Sequence, residues 1–73
     1  MKISNVGSNM TQLTIDGAVV LFSYETPVAA CIDGEYVRTS KKWSVTTSRH
    51  INKWLNGVVA REVSQDHLDG VIA

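Results

Sequence analysis

The stretch VVLFSYETPVAACIDGEYV, Val19 to Val37, holds the only Phe, the only Pro and the only Cys of the chain. It is also the densest apolar stretch, and it breaks at Thr26-Pro27. The segment AVVLFSY is β-branched and aromatic on both faces, which is the pattern of a central strand covered on both sides. Pro27 has no N–H and pushes Thr26 toward extended geometry, so the run ends in a turn or a bulged corner. VAACI then resumes with small residues, suited to a strand that another element crosses closely. Asp33-Gly34 is a hairpin signal, and EYVRT is the returning strand.

Working outward, MTQLTID alternates, with Leu13 and Ile15 on one side and Gln12 and Thr14 on the other, as in a half-buried strand. Asp16-Gly17 joins it to the central strand as a type I′ hairpin. The segments IDGAVVLFS and IDGEYVRTS repeat Ile-Asp-Gly, with Val and Ser at matching places, at an offset of 17 residues. Two similar hairpins in a meander explain that likeness more simply than a duplication, because the period is too short for most solenoids. Met1 to Asn9 reads as a partly ordered lead-in with a short strand around Lys2 to Val6.

On the other side, Ser40 to Ser44 is a loop and a helix opens at Thr46-Thr47, where either Thr can cap it. Ile51, Trp54 and Leu55 make one apolar stripe, and Gly57 stands where a left-handed cap ends the helix. VVAREV is the last strand. Ser64 caps a short final helix, with Val63 and Leu68 as a hydrophobic staple. The order is β-β-β-β-α-β-α. The fold class is α+β: a small antiparallel meander of about four or five strands, packed on one main helix, with a short C-terminal helix. Val20, Phe22, Val28, Ile32, Trp54 and Leu55 are the expected core, each contributing roughly 1.5–3 kcal/mol on burial.

The chain of 73 residues is read as one domain, 1–73, of a size at which isolated folds are marginal. Its formal net charge is +0. A dedicated duplex-DNA binder carries a basic excess and an acidic DNA mimic the opposite, and neither excess is present. The lone Cys31 sits in an apolar run, where a free thiol acts as a small hydrophobe, and a reducing compartment fits it. The N-terminus lacks the apolar core of a secretion signal, and the longest apolar run, Ala18 to Phe22, is far short of a membrane span. The expected location is the cytoplasm, with no membrane partner.

Chemistry is sparse. His50, His67 and Cys31 are scattered without ligand spacing, so no metal is expected. No nucleophile elbow and no phosphate-cradling loop occurs. Ser48 and His50 are two apart on a helix and point to different sides. Asp16 and Asp33 are turn residues rather than paired acids. No catalytic residue and no cofactor is expected, and the chain is read as non-enzymatic. One constellation stands out: Arg38, Lys41, Lys42, Trp43, Arg49 and Lys53. Five of the seven Lys and Arg lie between Arg38 and Lys53, with no acid among them. These six residues form the candidate partner-binding surface, with Trp43 as anchor. The competing reading is a solvated loop and outer helix face, with Trp43 folded into the core rim.

Phe22, Ser23, Tyr24, Thr26, Pro27, Val28 and Ala29, followed by Thr46, Thr47, His50 and Trp54, resemble a family of small uncharacterised bacteriophage proteins. That family shares an aromatic-Ser-Tyr-x-Thr-Pro-Val-Ala strand-turn-strand and a Thr-Thr-x-x-His helix start. The resemblance spans about Leu13 to Gly57, with Trp54 one residue later than in the family pattern. It implies a phage origin and, through size and class, a binding protein that inhibits a host defence complex, such as a CRISPR–Cas effector, in the host cytoplasm. The alternatives are a small nucleic-acid-binding accessory protein that uses residues 38–53, and a virion or self-assembling component, a homodimer included.

Overall fold

Strand-forming residues separated by two-residue turns produce a meander, and the chain carries four such turns in its first half. The computed structural model describes residues 2–72. Five strands follow in order: β1 (Lys2–Gly7), β2 (Met10–Ile15), β3 (Ala18–Ser23), β4 (Thr26–Ile32) and β5 (Glu35–Thr39). Helix α1 (Val45–Leu55), strand β6 (Arg61–Val63) and helix α2 (Gln65–Val71) complete the chain. The protein is α+β, as expected. The sheet has six strands in sequence order, however, rather than four or five. It is also mixed: β1 to β5 pair antiparallel, but β6 lies parallel to β5 because α1 carries the chain back along the sheet. The expected lead-in contributes β1, whose residues Lys2 to Asn5 pair with Thr14 to Thr11. Ser8-Asn9 of that lead-in form the turn into β2, and Met1 lies outside the described residues.

The alternation of β3 decides where the helices go. Val20 aligns with Leu13 on one side and with Ala30 and then Val37 on the other, a row that faces α2. Leu21 and Ala29 form the next row and face α1. The core is therefore two clusters, one on each face. Met10, Leu21, Val28, Ala29, Ile51 and Leu55 pack under α1, and Val20, Ala30, Val37, Val63 and Leu68 pack under α2. The main helix α1 and the short C-terminal α2 are present as expected, and α2 covers the opposite face with a fully buried Leu68. Of the expected core, Val20, Val28 and Leu55 are buried, whereas Phe22, Ile32 and Trp54 only pack against the clusters from outside. The small residues of β4 are explained by the two crossings, since Ala29 meets α1 and Ala30 meets α2.

The break at Thr26-Pro27 resolves into a bulged corner. The turn itself is Tyr24-Glu25, Thr26 pairs with Ser23 and Pro27 pairs with Phe22. The register shifts between Leu21 and Phe22, so Val28 is the extra residue. Pro27 is tolerated in β4 because pairing with β5 begins only at Ala29. The Asp33-Gly34 turn has both residues at positive φ, 51° and 83°, as a type I′ turn requires. The Asp16-Gly17 turn differs, because only Gly17 is left-handed, at φ 70°. No described helix is long and apolar enough to cross a membrane.

Candidate functional site

The N-terminus of α1 is built by hydroxyl chemistry. Ser44, not Thr46 or Thr47, is the cap: its side chain accepts from the Thr47 N–H at 3.1 Å. Thr47 is buried instead and faces the sheet. Its Oγ1 lies 3.0 Å from Ser23 Oγ, and Ser23 Oγ lies 2.8 Å from His50 Nδ1. Ser44 Oγ donates to Thr47 Oγ1 at 3.3 Å. With His50 Nδ1 as acceptor, each hydroxyl donates to the next, so Ser44, Thr47, Ser23 and His50 form one directional chain. This chain clasps α1 to the end of β3. It gathers Ser23, Thr47 and His50, three residues of the motifs quoted above. Ser23 is 2% exposed, and its hydroxyl is engaged by both Thr47 and His50.

Two aromatic side chains stand beside this clasp. Tyr24 is 53% exposed and Trp43 is 42% exposed, so Trp43 is not folded into the core. Both line a cleft of about 390 Å³ with Lys42, Ser44, Thr26 and, at the floor, Ser23, Val28 and Thr47. Each ring is held by neighbours. The Trp43 Nε1–H donates to Gln65 Oε1 at 3.2 Å, and Gln65 Nε2 in turn donates to the Pro27 carbonyl at 2.7 Å. Lys41 Nζ lies 4.1 Å from the centroid of the Trp43 ring, a cation–π contact. Tyr24 lies tilted against His50, with centroids 5.9 Å apart. Its backbone is left-handed, φ 58°, which is uncommon for a bulky residue. Its N–H donates to the Asn9 carbonyl at 2.8 Å, which holds that conformation.

The six expected contact residues divide between two places. Arg38, Lys41, Lys42 and Trp43 line a second, smaller groove of about 150 Å³ that adjoins the first. Glu62 also lines it, opposite Arg38 in the β5–β6 pairing. An acid distant in sequence is thereby brought into the basic stretch. Arg38 Nη1 donates to Asn52 Oδ1 at 3.3 Å. Arg49 and Lys53 line neither groove. Thr47, Ile51 and Leu55 turn toward the sheet, so the helical period puts Arg49 and Lys53 on the outer ridge of α1. Tyr24 was missed from sequence because a residue in a predicted turn gives no sign of how its ring is held. Trp54, the other Trp, is a packing residue: its Nε1–H donates to Gln12 Oε1 at 3.0 Å and its ring meets Tyr36 edge-on.

Among the described residues no group of three or more His, Cys, Asp or Glu is placed to hold a metal ion. No curated protein and no solved structure matches the chain. The model of a family of unknown function, DUF8033, matches residues 1–70, so the chain belongs to the DUF8033 family.

Proposed function

We propose that the chain is a non-enzymatic binding protein that occupies an acidic patch on a protein partner through the Tyr24–Trp43 cleft. The observation that supports this reading most is the pair of half-exposed aromatic rings, each fixed by its own contacts, lining one cleft with Lys42. Rigid aromatic anchors in a recess are where protein interfaces concentrate their energy, because little freedom is lost on binding. Arg38, Lys41 and Lys42 add positive charge beside the anchors, and Arg49 and Lys53 on the outer ridge steer an acidic surface during approach. The narrower form of the proposal is a phage-encoded inhibitor of a host defence complex of the CRISPR–Cas kind. It rests on the sequence resemblance alone.

Nucleic acid is the competing ligand class. Two features disfavour it: Lys41 already covers one face of the Trp43 ring, and Glu62 sits in the adjoining groove. Affinity capture from a lysate of the source cells, followed by a measured Kd for the recovered partner, tests the proposal. Lys42→Glu and Tyr24→Asn should each weaken that Kd by about tenfold or more. Equal binding by both variants would remove the cleft from the interface. A Kd for nucleic acid that rises steeply with added salt would support the competing class. For the narrower form, a reconstituted Cas effector should lose cleavage when the protein is added, and undiminished cleavage would contradict it.

A further inference from the structure

The far side of Tyr24 opens on a different recess. The Ser8-Asn9 turn between β1 and β2 and the Tyr24-Glu25 turn lie side by side, joined by the Tyr24 N–H to Asn9 carbonyl bond of 2.8 Å. Between them is an open recess of about 680 Å³ lined by Asn5, Asn9, Thr11, Tyr24, Glu25 and Thr26. Asn9 and Tyr24 are both left-handed, with φ of 59° and 58°. Asn adopts that conformation readily, but a Tyr there costs roughly 1–2 kcal/mol. A strained residue that presents a half-exposed ring to a recess is the kind of outlier from which function is inferred.

The lining decides the ligand. Asn5 Oδ1 already accepts from the Gly7 N–H at 3.0 Å, so its amide offers two N–H donors. The Thr11 and Thr26 hydroxyls both donate and accept, and the Glu25 carboxylate accepts only. No Lys or Arg lines the recess, and Glu25 would repel an anion, so phosphate and sulfate are disfavoured. A single carboxylate is too little for a divalent cation. Amides and hydroxyls left unpaired would disfavour an apolar guest. Closely spaced donors and acceptors beside one exposed aromatic face suit a ring with neighbouring hydroxyls and an apolar C–H side. We propose that this recess binds a neutral carbohydrate, a mono- or disaccharide unit, with Tyr24 as the platform and Asn5 and Glu25 reading its hydroxyls.

The site is independent of the protein-binding cleft except for Tyr24 and Thr26, so its test places the substitutions at other residues. Amide-resolved NMR titration with maltose, cellobiose, lactose and diacetylchitobiose, each to about 20 mM, covers the millimolar range expected of so open a site. At least one sugar should give saturable shifts at Asn5, Asn9, Thr11 and Tyr24. Asn5→Ala and Glu25→Gln should each weaken it by about fivefold, while Lys42→Glu leaves it unchanged. The absence of saturable shifts with all four sugars overturns the proposal. Saturable shifts that Asn5→Ala and Glu25→Gln leave unchanged overturn it equally.

Discussion

Ser23 shows how one hydroxyl ties sequence motifs into a fold. It is the buried member of the chain Ser44–Thr47–Ser23–His50, and its removal leaves Thr47 and His50 facing a gap. Ser23→Ala should lower stability by about 1–3 kcal/mol, the cost of unsatisfied groups in a partly buried site. Urea unfolding measures it, and an unchanged midpoint would show that the chain does not clasp α1. Tyr24 is a contrasting residue, held out of the core. Tyr24→Asn should keep stability within about 1 kcal/mol, because Asn accepts the left-handed backbone, yet it should weaken partner binding. A loss of binding with the fold intact separates an anchor from a packing residue.

At the scale of elements, the helix ends were only partly readable. Ser64 caps α2 as expected, accepting from the His67 N–H at 3.2 Å, and Val63 and Leu68 meet in one cluster. For α1 the expected cap was Thr46 or Thr47, but Ser44, read as the end of a loop, also carries a capping hydroxyl, and the sequence offers no means to choose among the three. The choice was made by Ser23, whose hydroxyl draws Thr47 inward as a buried residue and leaves Ser44 outside to cap. At its C-terminal end both Asn56, φ 48°, and the expected Gly57, φ 87°, are left-handed. Ser44→Ala should cost about 1 kcal/mol, whereas Thr46→Ala, at an exposed first-turn position, should cost little. Thermal melts of the two variants test the assignment, and equal losses would contradict it. In α2, Gly70 has open space around its Cα and no positive φ. Gly70→Ala should therefore raise stability by about 0.5–1 kcal/mol, and a lower melting temperature would mean that the space is used.

At the scale of the whole molecule, a sheet between two helices explains why so short a chain has a core on both faces. The strand pattern of Val19 to Val37 was legible, since Val20 and Leu21 are adjacent and both apolar. The opposite placement of the helices was not, because each amphipathic stripe specifies that a helix packs without specifying on which face. The basic stretch was legible as a charge run, but its division into a groove and an outer ridge depends on the phase of α1 relative to the sheet. Leu68→Ala should cost about 2–5 kcal/mol, as for any large side chain removed from a close-packed core. A loss below about 1 kcal/mol would mean that α2 is only appended. The central claim is that Tyr24, Lys42 and Trp43 form the contact surface. The direct measurement is NMR titration of the labelled protein with a glutamate-rich peptide bearing one aromatic residue. Saturable shifts should appear at the Tyr24 and Lys42 amides and at the Trp43 indole N–H, and Lys42→Glu should abolish them. Shifts confined to Arg49 and Lys53, or equal shifts in Lys42→Glu, would contradict the account.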